Sequence, residues 1–473
     1  MKVKELFLQN FRCFEELTLQ LDSRLTVIVA DNGMGKTTIL DSIAVAFGRL
    51  LTKLPRISGL AIKHSDIRIE ANESLSPFAF YLISIADFSG QTLTWSNGRR
   101  KDSSKSTVNK IQVYLKHFEK AMLGYKDIDR FADDLIEKFN SNEGFKMPLI
   151  VYYGTSRAIV EEVKRRRNFK KEFSRFESLV SALSPNARFK DAFEWFNAME
   201  DLERREQKKV KNFDYSLPEL DAVRSAIESM LPGFYNPRTE VGPLRFVIDH
   251  HLVDGSVRTL RLGQLSDGYK VMLGLVMDLA RRMAQANPPM VYETGDGRSI
   301  TDPLEMEAIV LIDEVDLHLH PTWQQRVLPD LLRTFPNTQF IVTTHSPQVI
   351  STISSKCLRI VHHEKDIESG EIKYWIEAPL EQTKGVASSH ILAVAMHTDP
   401  VPPVEEAMWL SNYRALIQQG LQDTRDGQVL KDKLLEHFGD KHPEILECER
   451  MIRLSHFKRK LPANEGNNSG QRG

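Results

Sequence analysis

The chain has 473 residues, 41% of them hydrophobic, which is enough to bury the cores of roughly two or three compact units. Its 63 basic and 64 acidic residues nearly cancel, which excludes a uniformly basic nucleic-acid-binding protein but allows local basic patches. Three widely spaced cysteines argue against a disulfide framework, and no apolar run approaches the length of about 18 residues that a membrane span needs. The charged N-terminus lacks the apolar segment of a signal peptide, so we expect a cytoplasmic protein with no membrane partner.

The first 155 residues are predicted to form an N-terminal lobe made mainly of strands. A nearly continuous apolar run at residues 25–30 predicts a buried strand, and apolar residues at helical spacing predict a helix at 38–51. Shorter runs predict further strands at 3–8, 78–85, 92–95 and 148–153.

Residues 156–235 change in character and are predicted to be a charged, coiled-coil-like helical insertion. A C-terminal lobe at 236–385 returns to strands at 244–248, 308–312 and 339–344, with a helix at 268–285 and a loop at 286–303. Residues 386–461 are polar and helical in pattern, and 462–473 are predicted to be a disordered tail. The expected fold class is therefore α/β: a head with a mixed or parallel sheet, a short helical insertion and a helical C-terminal appendage.

A candidate phosphate-binding loop, Ala-Asp-Asn-Gly-Met-Gly-Lys-Thr-Thr, occupies residues 30–38 between the buried strand and the predicted helix. Its glycines let backbone N–H groups approach phosphates at the helix N-terminus. Lys36 would reach the β and γ phosphates of ATP, and the Thr37 hydroxyl would hold Mg²⁺. Ala30 replaces the usual first glycine, a departure that the loop tolerates if φ stays negative there. The candidate ATP-binding residues of this loop are Asn32, Gly33, Gly35, Lys36, Thr37 and Thr38.

A pair of carboxylates follows the predicted strand at 308–312. Asp313, at the carboxyl end of that strand, is well placed to hold Mg²⁺, and Glu314 is suited to polarise the attacking water as a general base. Alone, this pattern fits an ordinary strand end equally well. Downstream of a phosphate-binding loop it favours catalysis.

Two further elements could contact phosphate. A lone histidine is more often structural, but His345 follows the buried strand 339–344, at the sheet edge where ligands collect, and there it could contact the γ phosphate. The segment Gln-Leu-Ser-Asp-Gly-Tyr at 264–269 begins a predicted helix. Ser266 can cap that helix, and the exposed N–H groups beside Gly268 make a second anion site. A simple helix cap is the alternative.

Taken in chain order, the four elements resemble the Walker A loop, signature, Walker B strand and switch histidine of ABC ATPases. Leu-Ser-Asp-Gly-Tyr replaces the usual Leu-Ser-Gly-Gly-Gln, and residues 315–321 match the D-loop position. The resemblance implies a homodimer or higher oligomer in which Ser266 and Gly268 of one copy complete the ATP site of the other. His318 and His320 have the spacing of metal ligands, but the resemblance favours a dimer-interface segment instead.

The N-terminal segment at 8–14, Leu-Gln-Asn-Phe-Arg-Cys-Phe, resembles the start of RecF/SMC-like ATPases, in which the arginine, here Arg12, touches nucleotide phosphate. The insertion is too short for a long SMC coiled coil. Segments at 65–68, 152–157, 195–196 and 318–321 are similar to the ATPase subunits of Septu antiphage systems and to related retron-associated ATPases. Together the resemblances cover roughly residues 1–385.

Overcoming-lysogenization-defect nucleases share this ATPase and add a Toprim nuclease domain, whose pattern is missing after residue 385. The Septu resemblance implies instead a separate HNH nuclease subunit. Amphipathic segments at 430–438 and 445–454, followed by basic residues 458–460, are a candidate dock for it. A helical cap over the core is an equal alternative.

Basic clusters at 164–167, 170–171 and 208–211 lie in the predicted insertion. They could contact nucleic-acid phosphates, but the interleaved glutamates favour a solvated, salt-bridged helical pair equally well. The leading hypothesis is an ATPase subunit of an antiphage complex, and the alternative is a RecF-like DNA-repair ATPase. Transporter and translation-factor ATPases are disfavoured by the long charged insertion.

Overall fold

The computed structural model describes residues 1–68, 78–100, 124–158, 173–185, 189–252, 254–294, 297–365, 372–396 and 398–460. The chain forms two compact units, Met1–Met396 and His397–Gly473. The expected tail at 462–473 and the basic clusters at 164–167 and 170–171 lie outside the described residues.

Strands within the described residues are numbered along the chain. They are β1 (Lys2–Phe11), β2 (Phe14–Gln20), β3 (Leu25–Val29), β4 (Phe78–Ala86), β5 (Thr92–Arg100), β6 (Leu149–Tyr153), β7 (Phe234–Val241), β8 (Leu244–His251), β9 (Val257–Arg261), β10 (Val291–Thr294), β11 (Gly297–Ile300), β12 (Ala308–Ile312), β13 (Gln339–Thr343), β14 (Leu358–Lys365) and β15 (Ile372–Glu377).

The α-helices are numbered in the same way. They are α1 (Lys36–Lys53), α2 (Lys126–Asn140), α3 (Phe189–Val210), α4 (Pro218–Met230), α5 (Asp267–Ala286), α6 (Pro321–Gln324), α7 (Val327–Thr334), α8 (Pro347–Ile350), α9 (Ser388–Val394), α10 (Glu405–Gln419), α11 (Arg425–Phe438) and α12 (Pro443–Lys460).

The central sheet has six strands in the order β15-β14-β3-β13-β12-β6. Its inner strands run parallel, and only β15 runs antiparallel to its neighbour β14. Every residue of β3, β6, β12 and β13 is buried, as expected for parallel strands covered on both faces. The predicted α/β class with a mixed sheet is confirmed.

The described residues form three smaller sheets as well. One is antiparallel with the order β2-β1-β4-β5, another is β7-β8-β9, and the third is the hairpin β10-β11. The prediction of a loop throughout residues 286–303 was wrong, because β10 pairs with β11 from Val291↔Ile300 to Thr294↔Gly297. Strands of four residues carry too little periodicity for a sequence pattern to reveal them.

Helix α5 lies inside the first unit and is buried at every position from Val271 to Ala286. A helix that is buried all round belongs to the core instead of a surface layer. It packs against α3, α4 and the 3-10 turn Arg175–Leu179, so the helical segments between β6 and β7 contact this helix directly.

The second unit contains α10, α11 and α12, which confirms the predicted helical C-terminal region. These helices enclose a small core of their own, formed by Tyr413, Ile417, Leu434, Ile445 and Cys448. Among the helices of the described residues, none is both long enough and apolar enough to cross a membrane.

Candidate nucleotide-binding site

The phosphate-binding loop connects the buried strand β3 to α1. Gly33 and Gly35 have φ angles of 80° and 84°, in the left-handed region that favours glycine. Lys36 is the first residue of α1, and its Nζ donates hydrogen bonds of 2.9 Å to the carbonyl oxygens of Ala30 and Asp31. The loop therefore folds around the lysine ammonium. Of the other loop residues predicted to bind ATP, Asn32 and Thr37 are exposed and Thr38 is buried.

Lys36 is largely withdrawn from water, with only 7% of the residue exposed. Burial lowers the pKa of Lys36, and the nearby charges of Asp313, Glu314, Asp31 and Asp316 partly oppose that shift. One ammonium among four carboxylates leaves the site with excess negative charge, which a bound divalent cation would offset.

Asp313 lies at the end of β12, where two hydroxyl groups hold its carboxylate. Its Oδ2 accepts a hydrogen bond of 2.8 Å from Thr37 Oγ1, and its Oδ1 accepts one of 2.6 Å from Thr343 Oγ1. Thr37 and Asp313 are far apart in sequence, and the parallel sheet brings them together. Adjacent hydroxyl and carboxylate oxygens suit Mg²⁺, so these two residues fit a magnesium ion and are the ones that would hold it.

Glu314 has a left-handed backbone, with φ of 49°, which a residue with a Cβ adopts only at a cost. Its backbone N–H donates to Thr343 Oγ1 at 2.7 Å. Thr343 thus holds the carboxylate of Asp313 and the backbone of Glu314 at once. Thr343 lies in the predicted strand 339–344, but no role for this residue follows from the sequence pattern alone. Its hydroxyl at the end of a buried strand was the available signal.

His345 follows β13 and is half-buried near the phosphate-binding loop. Burial lowers the pKa of His345, and the positive charge of Lys36 lowers it further. The imidazole is therefore neutral at neutral pH. Just before it, Thr344 donates a 2.5 Å hydrogen bond to Asp316, which holds the segment after Glu314 against β13.

Arg12 binds two carboxylates of its own chain. Its guanidinium contacts Asp41 Oδ2 at 2.6 Å and Asp66 Oδ1 at 2.9 Å, and Asp41 belongs to α1. Burial lowers the pKa of Arg12, but the hydrogen bonds and charges of these two aspartates outweigh it and raise the pKa. Arg12 thus connects the turn after β1 to the helix that begins at the loop. Its contact with nucleotide phosphate stays a prediction.

The signature segment lies at the start of α5. Ser266 is exposed and holds the N-cap position, but its side chain makes no capping hydrogen bond. A Cβ on Gly268 would lie 2.9 Å from the carbonyl oxygen of His318, so the start of α5 packs closely against the D-loop segment of its own chain. Within the part of the chain that the structure describes, Ser266 shares no hydrogen bond with the phosphate-binding loop.

His318 and His320 do not form a metal site with other residues of the described ranges, where no cluster of three or more metal-ligating side chains occurs. His320 Nδ1 lies 3.2 Å from Thr322 Oγ1, and its ring caps the short helix α6. His318 is exposed, with φ of 60°.

Two family models match the chain. One, described as "AAA domain", covers residues 5–232, and the other, described as "AAA domain, putative AbiEii toxin, Type IV TA system", covers residues 153–351. Together they include the phosphate-binding loop, the start of α5, the Asp313–Glu314 pair and His345.

Curated relatives are similar over most of the chain. "Retron Ec83 probable ATPase" from Escherichia coli is 28% identical, with 96% of this chain and 86% of that protein covered. "Retron Vc95 probable ATPase" from Vibrio cholerae serotype O1 biovar El Tor is 26% identical, covering 92% and 87%. "Septu protein PtuA" from Bacillus mycoides (strain KBAB4) is 25% identical, covering 61% and 35%.

More distant similarity extends to "DNA replication and repair protein RecF" from Rickettsia conorii (strain ATCC VR-613 / Malish 7), 23% identical with 74% of this chain and 96% of that protein covered. Among solved structures, the SMC head bound to the C-winged helix domain of ScpA covers 80% of this chain and 98% of its own, at 16% identity and a TM-score of 0.42. The chain is an ATPase, similar to two AAA-domain family models, to the retron probable ATPases and to Septu protein PtuA.

Proposed function

We propose that the chain is the ATP-hydrolysing subunit of an antiphage defence complex. Two copies close head-to-tail around ATP, and closure controls a separate HNH nuclease subunit. Two observations support the head-to-tail arrangement. The phosphate-binding loop and Asp313 meet within one copy, whereas Ser266 is exposed and, in the described residues, has no hydrogen bond to that loop.

Closure would add the N-terminus of α5 from a second copy to each nucleotide. Ser266 and the backbone N–H groups beside Gly268 are hydrogen-bond donors at the positive end of a helix, which suits a phosphate. ATP makes these contacts only in the closed dimer, so ATP binding shifts the equilibrium towards closure.

The residues of the site divide the hydrolytic chemistry among them. Lys36 binds the β and γ phosphates, while Thr37 and Asp313 would hold Mg²⁺, which would neutralise charge on the phosphates. Glu314 accepts a proton from the water that attacks the γ phosphorus. Neutral His345 donates a hydrogen bond to a γ-phosphate oxygen. The bond between the γ phosphorus and the β–γ bridging oxygen breaks, and that oxygen leaves with ADP.

Glu314→Gln tests both the general base and the dimer. We expect ATP binding to be unchanged, the rate of hydrolysis to fall about 100-fold or more, and dimers to accumulate with ATP in light scattering. Lys36→Ala serves as the control, because it should abolish ATP binding and therefore leave no ATP-dependent dimer. Hydrolysis by Glu314→Gln at the wild-type rate would remove the general-base assignment.

The nuclease subunit is proposed from the similarity to the retron and Septu proteins. The decisive experiment co-expresses the chain with a small HNH protein from a neighbouring reading frame, purifies the native complex and assays cleavage of DNA and RNA. Loss of copurification after changes in residues 430–438 or 445–454 would locate the dock. If no complex forms, the nuclease proposal fails.

Nucleic-acid binding through the basic end of α3 belongs to the same proposal. Lys208, Lys209 and Lys211 are exposed, and Lys209 pairs with Glu206 at 3.1 Å. Reversing the charge of Lys208 and Lys211 should weaken DNA retention at low salt. Unchanged retention would favour the solvated, salt-bridged helix.

The similarity to RecF supports one alternative, a DNA-repair ATPase that acts without a nuclease. It predicts that the isolated protein prefers duplex or gapped DNA in the presence of ATP. An isolated protein without that preference, together with a nuclease that copurifies, would exclude it.

A further inference from the structure

A group of buried charges lies on α5, away from the nucleotide site. Asp278, Arg281 and Arg282 are each at most 5% exposed. Asp278 Oδ1 accepts a hydrogen bond of 2.5 Å from Arg281, and Oδ2 accepts one of 2.7 Å from Arg282 Nε. Moving such charges out of water is costly unless their partners are held accurately, so the three side chains keep a defined arrangement on the helix.

Tyr153, the last residue of β6, connects this group to the Walker B strand. Its hydroxyl donates to Asp278 Oδ2 at 2.9 Å, and its backbone carbonyl accepts a 2.8 Å hydrogen bond from the N–H of Asp313. The side chain is fully buried. A single residue therefore lies between the signature helix and the aspartate that binds the Thr37 hydroxyl.

A second contact joins the other end of β6 to α5. Asn287, the C-cap residue of the helix, donates from Nδ2 to the carbonyl oxygen of Met147 at 3.1 Å and accepts from the N–H of Met147 at 2.8 Å. Met147 lies just before β6. Because both ends of the strand are held, α5 and β6 should move as one body.

We propose that Tyr153 is a positioning residue, through which the position of α5 sets the position of Asp313. The inference rests on the proposed function, in which Ser266 at the start of α5 meets ATP held by a second copy. Twelve residues, roughly 18 Å of helix, separate Ser266 from Asp278. Engagement of Ser266 shifts the helix, β6 follows, and the backbone of Asp313 moves with its partner Tyr153.

The hydrogen bond between Tyr153 and Asp278, which links β6 to α5, stays formed throughout the working pH range. Burial alone would raise the pKa of Asp278, but Arg282 and Arg281 outweigh it and lower the pKa to about 2. The carboxylate therefore remains ionised and continues to accept the hydrogen bond from Tyr153. Movement of the helix, and not titration, is what the link transmits.

Tyr153→Phe removes only the hydroxyl group and so tests the link directly. We expect kcat for ATP hydrolysis to fall roughly 3- to 30-fold while the Kd for ATP stays unchanged. Tyr81→Phe is the matched control, because Tyr81 is a similarly buried strand tyrosine that hydrogen-bonds Tyr125 and, within the described residues, shares no hydrogen bond with Asp313. The proposal is overturned if Tyr153→Phe keeps the wild-type kcat, or if both variants lose kcat equally.

A double-mutant cycle with Ser266→Ala separates transmission from a purely structural role. Sites this far apart normally contribute additively, so non-additive effects of Tyr153→Phe and Ser266→Ala on kcat are the expected sign of coupling. Additive effects would overturn the link while leaving the proposed function intact. A Ser266→Ala protein with wild-type kcat and ATP-dependent dimerisation would instead contradict the proposed function.

Asn287→Ala provides an independent test if Tyr153→Phe folds poorly. It removes the hydrogen bonds between Asn287 and Met147, at a partly exposed position. We expect the same pattern, a lower kcat with an unchanged Kd for ATP. An unchanged kcat in this variant would count against α5 and β6 moving together.

Discussion

Gly35 combines a left-handed backbone with close contact to neighbouring side chains. A Cβ at this position would lie 2.5 Å from Phe14 Cζ and 2.6 Å from Cys13 Sγ. We expect Gly35→Ala to lower the free energy of unfolding by about 1–3 kcal/mol and to weaken ATP binding, measured by calorimetry. Gly33→Ala is the control, because Gly33 has a similar φ but open space around it, and it should lose less affinity. Equal losses would mean that the contacts with Phe14 and Cys13 do not matter.

His345 should make the stability of the protein depend on pH. Its pKa in the folded protein is lowered, first by burial and then by Lys36, from the ordinary value of 6.5. The unfolded chain therefore takes up the proton first. The stability gained from the neutral imidazole is complete above pH 6.5 and is lost as the pH falls from there through the folded-state pKa. Between pH 7.5 and 5.5, the Tm of the wild type should fall more than that of His345→Gln. Parallel curves would contradict this.

Among individual residues, the sequence predicts the roles of those that belong to a local motif. The loop lysine Lys36 and the pair Asp313–Glu314 stand in short segments whose context beside buried strands is readable. The role of Thr343 depends on which strands are neighbours, since β13 must lie beside β12 before its hydroxyl can reach Asp313. The carboxylate partners of Arg12 likewise come from two distant segments, at Asp41 and Asp66.

The buried charges of α5 should make that helix far more sensitive to substitution than a similar group on α7. Asp278 pairs with two buried arginines three and four residues away, whereas Asp330 pairs at the same spacings with Arg326 and Arg333, which are largely exposed. Asp278→Asn should cost about 3–5 kcal/mol, because two buried cations lose their counter-ion.

Asp330→Asn is the matched control and should cost about 1 kcal/mol or less, since its arginines remain in water. Chemical denaturation of both variants measures the difference. Similar losses would mean that burial of the arginines does not determine the cost.

Strands and helices are also predicted well only where a local sequence pattern defines them. Strands β3, β6, β12 and β13 are continuous apolar runs, and their predicted limits differ from the structure by at most one residue. In contrast, β7 contains Asn236 and Pro237, which predict a turn, and the strand accommodates them through a register shift between Tyr235 and Arg238. Strand β15 is largely exposed, so its sequence lacks the continuous apolar run that predicts the inner strands.

For the whole molecule, the two separate cores predict separate effects of mutation. Leu434 is fully buried in the small core of the second unit. Leu434→Ala should cost that unit about 2–5 kcal/mol while ATP binding by the first unit is retained. Hydrogen exchange of α10–α12 and ATP titration measure the two effects. If residues 430–438 dock the nuclease, copurification of the nuclease should also fall, and loss of ATP binding instead would contradict the independence of the two cores.

Strand β3, which leads into the phosphate-binding loop, has consequences for how the protein is made. It is buried at every residue, and its only partners in the central sheet are β13 and β14. Those strands are synthesised roughly 300 residues later, an interval on the order of 15–60 s at ribosomal speed. During that time an apolar strand has both edges unpaired, so the emerging polypeptide should depend on chaperones, and the ATP site should be among the last parts of the protein to form.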